Sequence, residues 1–189
     1  GSLIMAVTFT ASGTAAAGGV QTVYALTHQA LLEGQLSDIR DNTISTQIAE
    51  AGAVAFGNVV VYNSGGTVAN SAKTIAATGD TALGVNVLTY VDEQATDSDS
   101  RPAVASGMVM NVANEGAVAV YVTGAVTPAS PVRVLYSASG TGKAGQFSHA
   151  FASGKTVRLS NARFLTSTTT SGVAILELNG PSFTLSADS

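Results

Sequence analysis

The chain has 189 residues, no cysteine or tryptophan, only 11% charged residues and a formal net charge of −4. That length supports one substantial domain with an arm, and the missing thiols exclude disulfide frameworks, thiolate metal sites and cysteine nucleophiles. Charged residues fall well below the usual quarter and the bulk is small and aliphatic, a composition of smooth β surfaces that favour association between copies.

Charge is unevenly spread. Residues 1–100 carry nine acids and two bases, a net of −7, whereas residues 101–189 carry three acids and six bases, a net of +3. Opposite signs suit contact between copies or with a charged scaffold, although interleaving of the two halves in the fold would cancel the asymmetry. No basic cluster interleaved with aromatics is present, so nucleic acid is not an expected partner. No stretch reaches the roughly 18 apolar residues of a spanning helix, and the first base is Arg40, too late for a secretory leader. No membrane association is expected.

In chain order, residues 1–4 ahead of Met5 read as a cloning remnant. Residues 5–33 read as an N-terminal arm: Ala6 to Gly19 is small and uncharged, and Val20 to Leu32 regains strand character. The remaining residues, 34–189, read as a single β-domain. Within Gly34 to Gly52 a short helix competes, because Leu36, Ile39, Ile44, Ile48 and Ala51 fall near one face at period 3.6. The turn formers Ser37, Asp38, Asp41, Asn42 and Thr43 argue against it.

Ala53 to Tyr62 is a strand interrupted by Gly57, which marks a bulge or a close backbone approach. Asn63 to Asp80 is a polar excursion containing a short hairpin. Ala82 to Val91 is the next strand, and Asp92 to Pro102 an exposed, charged loop. Gly107 to Val122 reads as the central hairpin, with Asn114-Glu115-Gly116 as its loop between two alternating runs. Strands follow at Pro131 to Tyr136, Thr156 to Leu165 and Val173 to Leu178, with a last alternation at Phe183 and Leu185. The expected fold is all-β: a β-barrel or jelly-roll-like sandwich of short antiparallel strands, with an N-terminal arm and at most one short helix.

Candidate chemistry is sparse. Gly140-Thr141-Gly142-Lys143 resembles part of a phosphate loop, but Ser137 and Ala144 stand where that motif needs Gly and Ser or Thr, so it reads as a turn. His28 and His149 lack a second His at metal-ligand spacing. Asp92, Glu93, Asp97 and Asp99 could offer oxygens to a hard cation without the spacing of a known loop; a solvated acidic loop, or one docking a basic partner, is the simpler reading. No cofactor, metal or catalytic residue is assigned, and the protein is not expected to be an enzyme.

The order of segments is nevertheless specific. Val54-Ala55-Phe56-Gly57-Asn58-Val59-Val60 follows Gly34-Gln35-Leu36-Ser37-Asp38, and Leu83-Gly84-Val85, Gly116 to Val122 and Ser130-Pro131-Val132-Arg133-Val134 come after it. The pair Asn161 to Ser167 and Gly172 to Leu178 completes the series. From Gly34 to Leu178 the chain resembles the structural cement, or capsid decoration, proteins of tailed bacteriophages. Its stretch before Gly34 and the segment Asn63 to Thr81 are longer than that pattern. The resemblance implies a homo-oligomer, dimer or trimer, made in the bacterial host cytoplasm. It would bind the major capsid protein on the exterior of the virion and stabilise the shell without catalysis. Candidate contact residues, to the capsid or between copies, are Phe9, Tyr24, Asp97, Asp99, Arg101, Arg133 and Arg163. A bacterial surface or adhesin-type β module is the alternative reading.

Overall fold

A computed structural model describes residues 31–38, 41–89, 95–180 and 185–187. These residues contain strands and no helix. The strands in chain order are β1 (Thr43–Ala49), β2 (Val54–Ala55), β3 (Val59–Tyr62), β4 (Ser71–Thr74), β5 (Ala82–Val87), β6 (Ala95–Thr96) and β7 (Pro102–Val104). They continue with β8 (Val109–Val122), β9 (Arg133–Leu135), β10 (Phe147–Ser148), β11 (Thr156–Leu159), β12 (Ala162–Phe164), β13 (Gly172–Asn179) and β14 (Leu185–Ala187).

Everything is built on β8. Its two runs are strands, as their alternation requires, but the hairpin expected between them does not form: β8 is one 14-residue strand. Asn114-Glu115-Gly116 makes a bulge instead of a turn. Along β1, Thr43 pairs with Glu115 and Ile44 already pairs with Ala113, leaving Asn114 as the extra residue. An inserted residue reverses which side chains face which side, and the burial pattern shows the reversal. Met110 and Val112 enter one core, while Val118, Val120 and Val122, in the same even-numbered phase, enter the other with Ala113. Gly116 has φ +116°, and a Cβ there would lie 1.9 Å from Asn42 Oδ1. The glycine signal was real, but it marks a close approach within a strand.

The kink lets β8 serve two structures. Its first half closes a small barrel in which β8 pairs with β1, β1 with β4, β4 with β3, β3 with β5 and β5 with β8. Ala49, Val60, Ala72, Met110 and Val112 fill this barrel, and Val54 and Val104 from the separate sheet β2-β7-β6 pack with them, as does Phe56 just after β2. The second half pairs antiparallel with β13 from Glu115 to Val122 and meets β10 in parallel at Phe147. Strand β10 continues the sheet through β9, β11 and β14. The larger core lies between this sheet and the barrel's outer wall, where Val59, Val61, Val85 and Val87 join Phe147, Val157, Phe164, Leu176 and Leu178. The all-β barrel expectation holds.

The competing helix within residues 34–52 is not formed. Gly34 N–H donates to Ala119 O at 2.7 Å, Ser37 N–H to Ala117 O at 2.9 Å, and Ala119 N–H to Gln35 O at 2.8 Å, after which the chain enters β1. Backbone groups already committed to β8 leave no i to i−4 ladder. Gly57, as expected, sits at a close approach: its Cβ would be 2.9 Å from the Gly34 nitrogen, at φ +73°. Within the expected Asp92 to Pro102 loop, the described part from Ala95 is a hairpin, because Ala95–Thr96 and Pro102–Val104 pair and β7 adds to β2.

Candidate functional site

Three of the candidate contact residues come together. Asp97 opens the turn between β6 and β7, and its Oδ1 accepts the amides of Asp99 and Arg101, each at 2.9 Å. This is the turn an aspartate builds by capping its own downstream backbone. Its Oδ2 alone accepts both Nε of Arg101 at 2.8 Å and Nη2 at 2.6 Å, a charge-assisted pair. The Arg101 Nη1 reaches Asn58 Oδ1 at 3.1 Å, and Asn58 Nδ2 reaches the Ala144 carbonyl at 3.2 Å. Asp99 Oδ1 receives Lys143 Nζ at 2.7 Å.

The cluster borders a cavity of about 560 Å³ walled by Ala51, Ala53, Ala55, Ala138 and Ala144. Beneath it lies Glu33, whose Cβ is 3.2 Å from a Cβ built on Gly57. Burial pushes the Glu33 carboxyl above the ordinary carboxylate range; Arg101 opposes that rise and Asp97 adds to it. Asp97 and Asp99 each face a cation, so the cluster is a staple joining the β6–β7 hairpin, the β2–β3 bend and the Lys143 loop. The charged halves of the sequence interleave here, as Asp99 meets Lys143.

The other candidates lie apart. Arg133 on β9 donates through Nη1 to the His149 carbonyl and stands directly opposite Arg158 of β11. Arg163 on β12 stands opposite Glu177 of β13, and its Nε bonds Glu177 Oε2. Phe9 and Tyr24, like His28, Asp92 and Glu93, lie outside the described residues. His149 is half-buried. Gly140-Thr141-Gly142-Lys143 belongs to a tight turn in which Ser139 and Gly142 exchange backbone hydrogen bonds at 3.0 and 2.9 Å. Among the described residues no group of three His, Cys, Asp or Glu side chains is placed to hold a metal ion, and no helix is long and apolar enough to cross a membrane.

Sequence reading missed three participants. Asn58 and Lys143 gave no signal for this cluster, because one lies in an apolar run of sequence and the other reads as part of a glycine-rich turn. Arg158 did give one, since it alternates outward between the buried Val157 and Leu159. Arg158 borders a second cavity, of about 640 Å³, with Ser130, Pro131, Asn161 and Ser186. A smaller cleft of about 280 Å³ is lined by Asp41, Glu115 and Glu177. The two have neighbouring linings, since Ala162 lines the first and pairs with Leu178, which lines the second.

Comparison with known proteins gives the identity of the fold's family. A chain from the capsid of Myoviridae phage XM1 has the same fold, with a TM-score of 0.61 at 17% identity over 86% of this chain and 98% of that one. Among curated protein sequences none matches. Residues 20–179 match the family described as structural cement protein (E217 gp24/Pam3 gp6). With most of its length covered by that match, the chain belongs to the phage structural cement protein family.

Proposed function

We propose that this protein binds the outer surface of an assembled phage head as a homo-oligomer and stabilises the shell, with residues 5–33 reaching a neighbouring copy. The role is structural and non-enzymatic, on the exterior of the virion, after synthesis in the host cytoplasm. The observation that carries this reading is the family match over residues 20–179.

The surface chemistry supports it. Covering a face with few charges costs little desolvation. Ile44 is 44% exposed and Val109 50% exposed on the same face of the β1–β8 ladder, where a partner would gain apolar contact. Copies joined in an oligomer raise one another's effective concentration, so modest contacts hold firmly.

The test mixes purified protein with undecorated shells and measures binding by co-sedimentation, position by electron microscopy, and shell melting by calorimetry. External density and a raised melting temperature are expected. Deleting residues 6–30 should weaken assembly or shell binding and leave the domain folded. The truncation stops there because Glu33 and Gly34 pack against the barrel. A protein that ignores shells refutes the proposal; a truncated chain that binds and assembles like the parent refutes the role of the arm.

A further inference from the structure

Ala49, Met110 and Val112 point into the small barrel, so the alternate residues of the β1–β8 ladder face outward. Ile48 is paired with Val109 and Thr46 with Asn111, and Ile44 continues the row along β1. Ile44 and Val109 are exposed apolar side chains, and no residue of this stripe carries a charge. From Ile44 to Ile48 the stripe runs about 13 Å, the length of a short extended segment. It gains most from a cover as uncharged as itself.

The same chain carries one. Residues 20–30 hold no Asp, Glu, Lys or Arg, and they fall inside the family match, which begins at residue 20. Read with period two they place Val20, Thr22, Tyr24 and Leu26 on one side, a row of the same character as the stripe. The direction of the chain says whose stripe they reach. Gly34 and Ser37 bond the carbonyls of Ala119 and Ala117, and β1 then passes Glu115 and ends beside Val109, so the chain travels along β8 in one direction. What precedes Gly34 therefore enters from the Val122 end of β8, away from the stripe. To cover the stripe of its own copy the segment would have to reverse along the whole strand; a second copy's stripe demands no reversal.

We propose that the outer face of the β1–β8 ladder, at Ile44, Ile48 and Val109, receives residues 20–26 of a second copy. This rests on the reading of the N-terminal segment as an arm and names the surface that takes it.

The experiment exploits the absence of cysteine. Full-length Tyr24→Cys and Val109→Cys proteins are mixed and oxidised, and disulfide-linked peptides are identified by mass spectrometry. Linkage between positions 24 and 109 of two chains should exceed, on the order of tenfold, that between Tyr24→Cys and Tyr62→Cys, because docking raises the local concentration of the right pair. Tyr62 is the control because it is equally exposed, on β3. Val109→Asp should weaken self-association, read by sedimentation velocity, on the order of tenfold, since it sets a charge inside an uncharged contact. It should have no further effect once residues 6–30 are deleted. Circular dichroism melts should match the parent, because Val109 is exposed.

Equal linkage at Tyr62, or parent-like self-association of Val109→Asp, overturns the proposal. If a Tyr24→Cys/Val109→Cys double variant closes within one chain while the mixed single variants stay unlinked, the segment covers its own stripe and the proposal falls. It falls also if Val109→Asp loses shell binding and still self-associates, which makes the capsid the cover. Loss of association on deleting residues 6–30 with none in Val109→Asp keeps the arm and rejects this surface. Linked copies that never bind shells keep this contact and reject the capsid-binding reading.

Discussion

Replacing Gly116 with alanine tests the kinked strand directly. At φ +116° a Cβ is strained whatever surrounds it, at a cost of about 1–3 kcal/mol. The added carbon would also lie 1.9 Å from Asn42 Oδ1 and 2.8 Å from its Cγ, so the amide must move. Together the two effects predict a loss of about 2–4 kcal/mol. That is a fall in Tm of about 5–15 °C for a chain of this size. A double-mutant cycle with Asn42→Ala separates them: the contact part should disappear in the pair, giving a favourable coupling of about 1 kcal/mol while the backbone strain remains. Gly172→Ala, where no atom lies within 4 Å of the new carbon, is the near-neutral control. Urea denaturation of the four proteins in the cycle, with the control alongside, gives the energies. A hairpin turn at Asn114-Glu115-Gly116 would also punish alanine, but without coupling to Asn42. Strict additivity would therefore refute the bulge, and an unchanged Gly116→Ala would refute the positive φ.

Three further outcomes follow from single side chains. Glu33→Gln should raise Tm at pH 7 and leave it unchanged near pH 3. Burial raises the Glu33 carboxyl pKa in the fold, so ionisation costs stability as pH rises through the carboxylate range, and glutamine has no such cost. Equal effects at both pH values would contradict this. Glu50 has the opposite sign. Bonds from the Ser71 and Thr67 hydroxyls and from backbone amides lower its pKa, so its support for the loop joining β3 to β4 is present above the unfolded carboxylate pKa. That support is lost as pH falls through the lower folded value. The Thr67 amide resonance should titrate with that depressed pKa, and a normal carboxylate midpoint would count against it. Phe147→Ala, at a fully buried site where β10 meets β8, should cost about 3–5 kcal/mol in urea denaturation; a loss below 1 kcal/mol would mean the site is not packed.

What the sequence revealed depended on whether a signal was local. The alternation Val118, Val120, Val122 and its counterpart Ala174, Leu176, Leu178 names the buried faces of β8 and β13 directly. Gly57 announced a close approach that Gly34 supplies. By contrast, Asn114-Glu115-Gly116 carries a good turn composition, and only the pairing of β8 with β1 on one edge and β13 on the other shows that the chain runs straight on. The helical spacing of Ile44 and Ile48 misled for the same reason, because a ladder partner 61 to 69 residues away in sequence outweighs a weak local preference. In the site, Asp97, Asp99 and Arg101 were legible only as charges read as contacts to a partner, and the Asp97–Arg101 pair within the turn comes from the structure. Lys143 and Asn58 were not, since their partners come from distant segments.

The kink also explains how so charge-poor a chain makes one body of two cores. Along β3, Val59 and Val61 enter the large core while Val60 between them enters the barrel, and β8 divides Met110 and Val112 from Ala113 in the same way. Alternate residues of one strand cannot leave one core without exposing the other, so the barrel and the second sheet share a single cooperative fate. Local opening is then confined to segments outside the shared strands, such as the Glu50-bonded loop between β3 and β4 and the turn after His149. Glu115, at the bulge of β8, is in turn held on a strand packed into both cores. A surface that must match another across many copies needs this arrangement, because side chains on a shared, doubly packed ladder keep their spacing and those on loops do not.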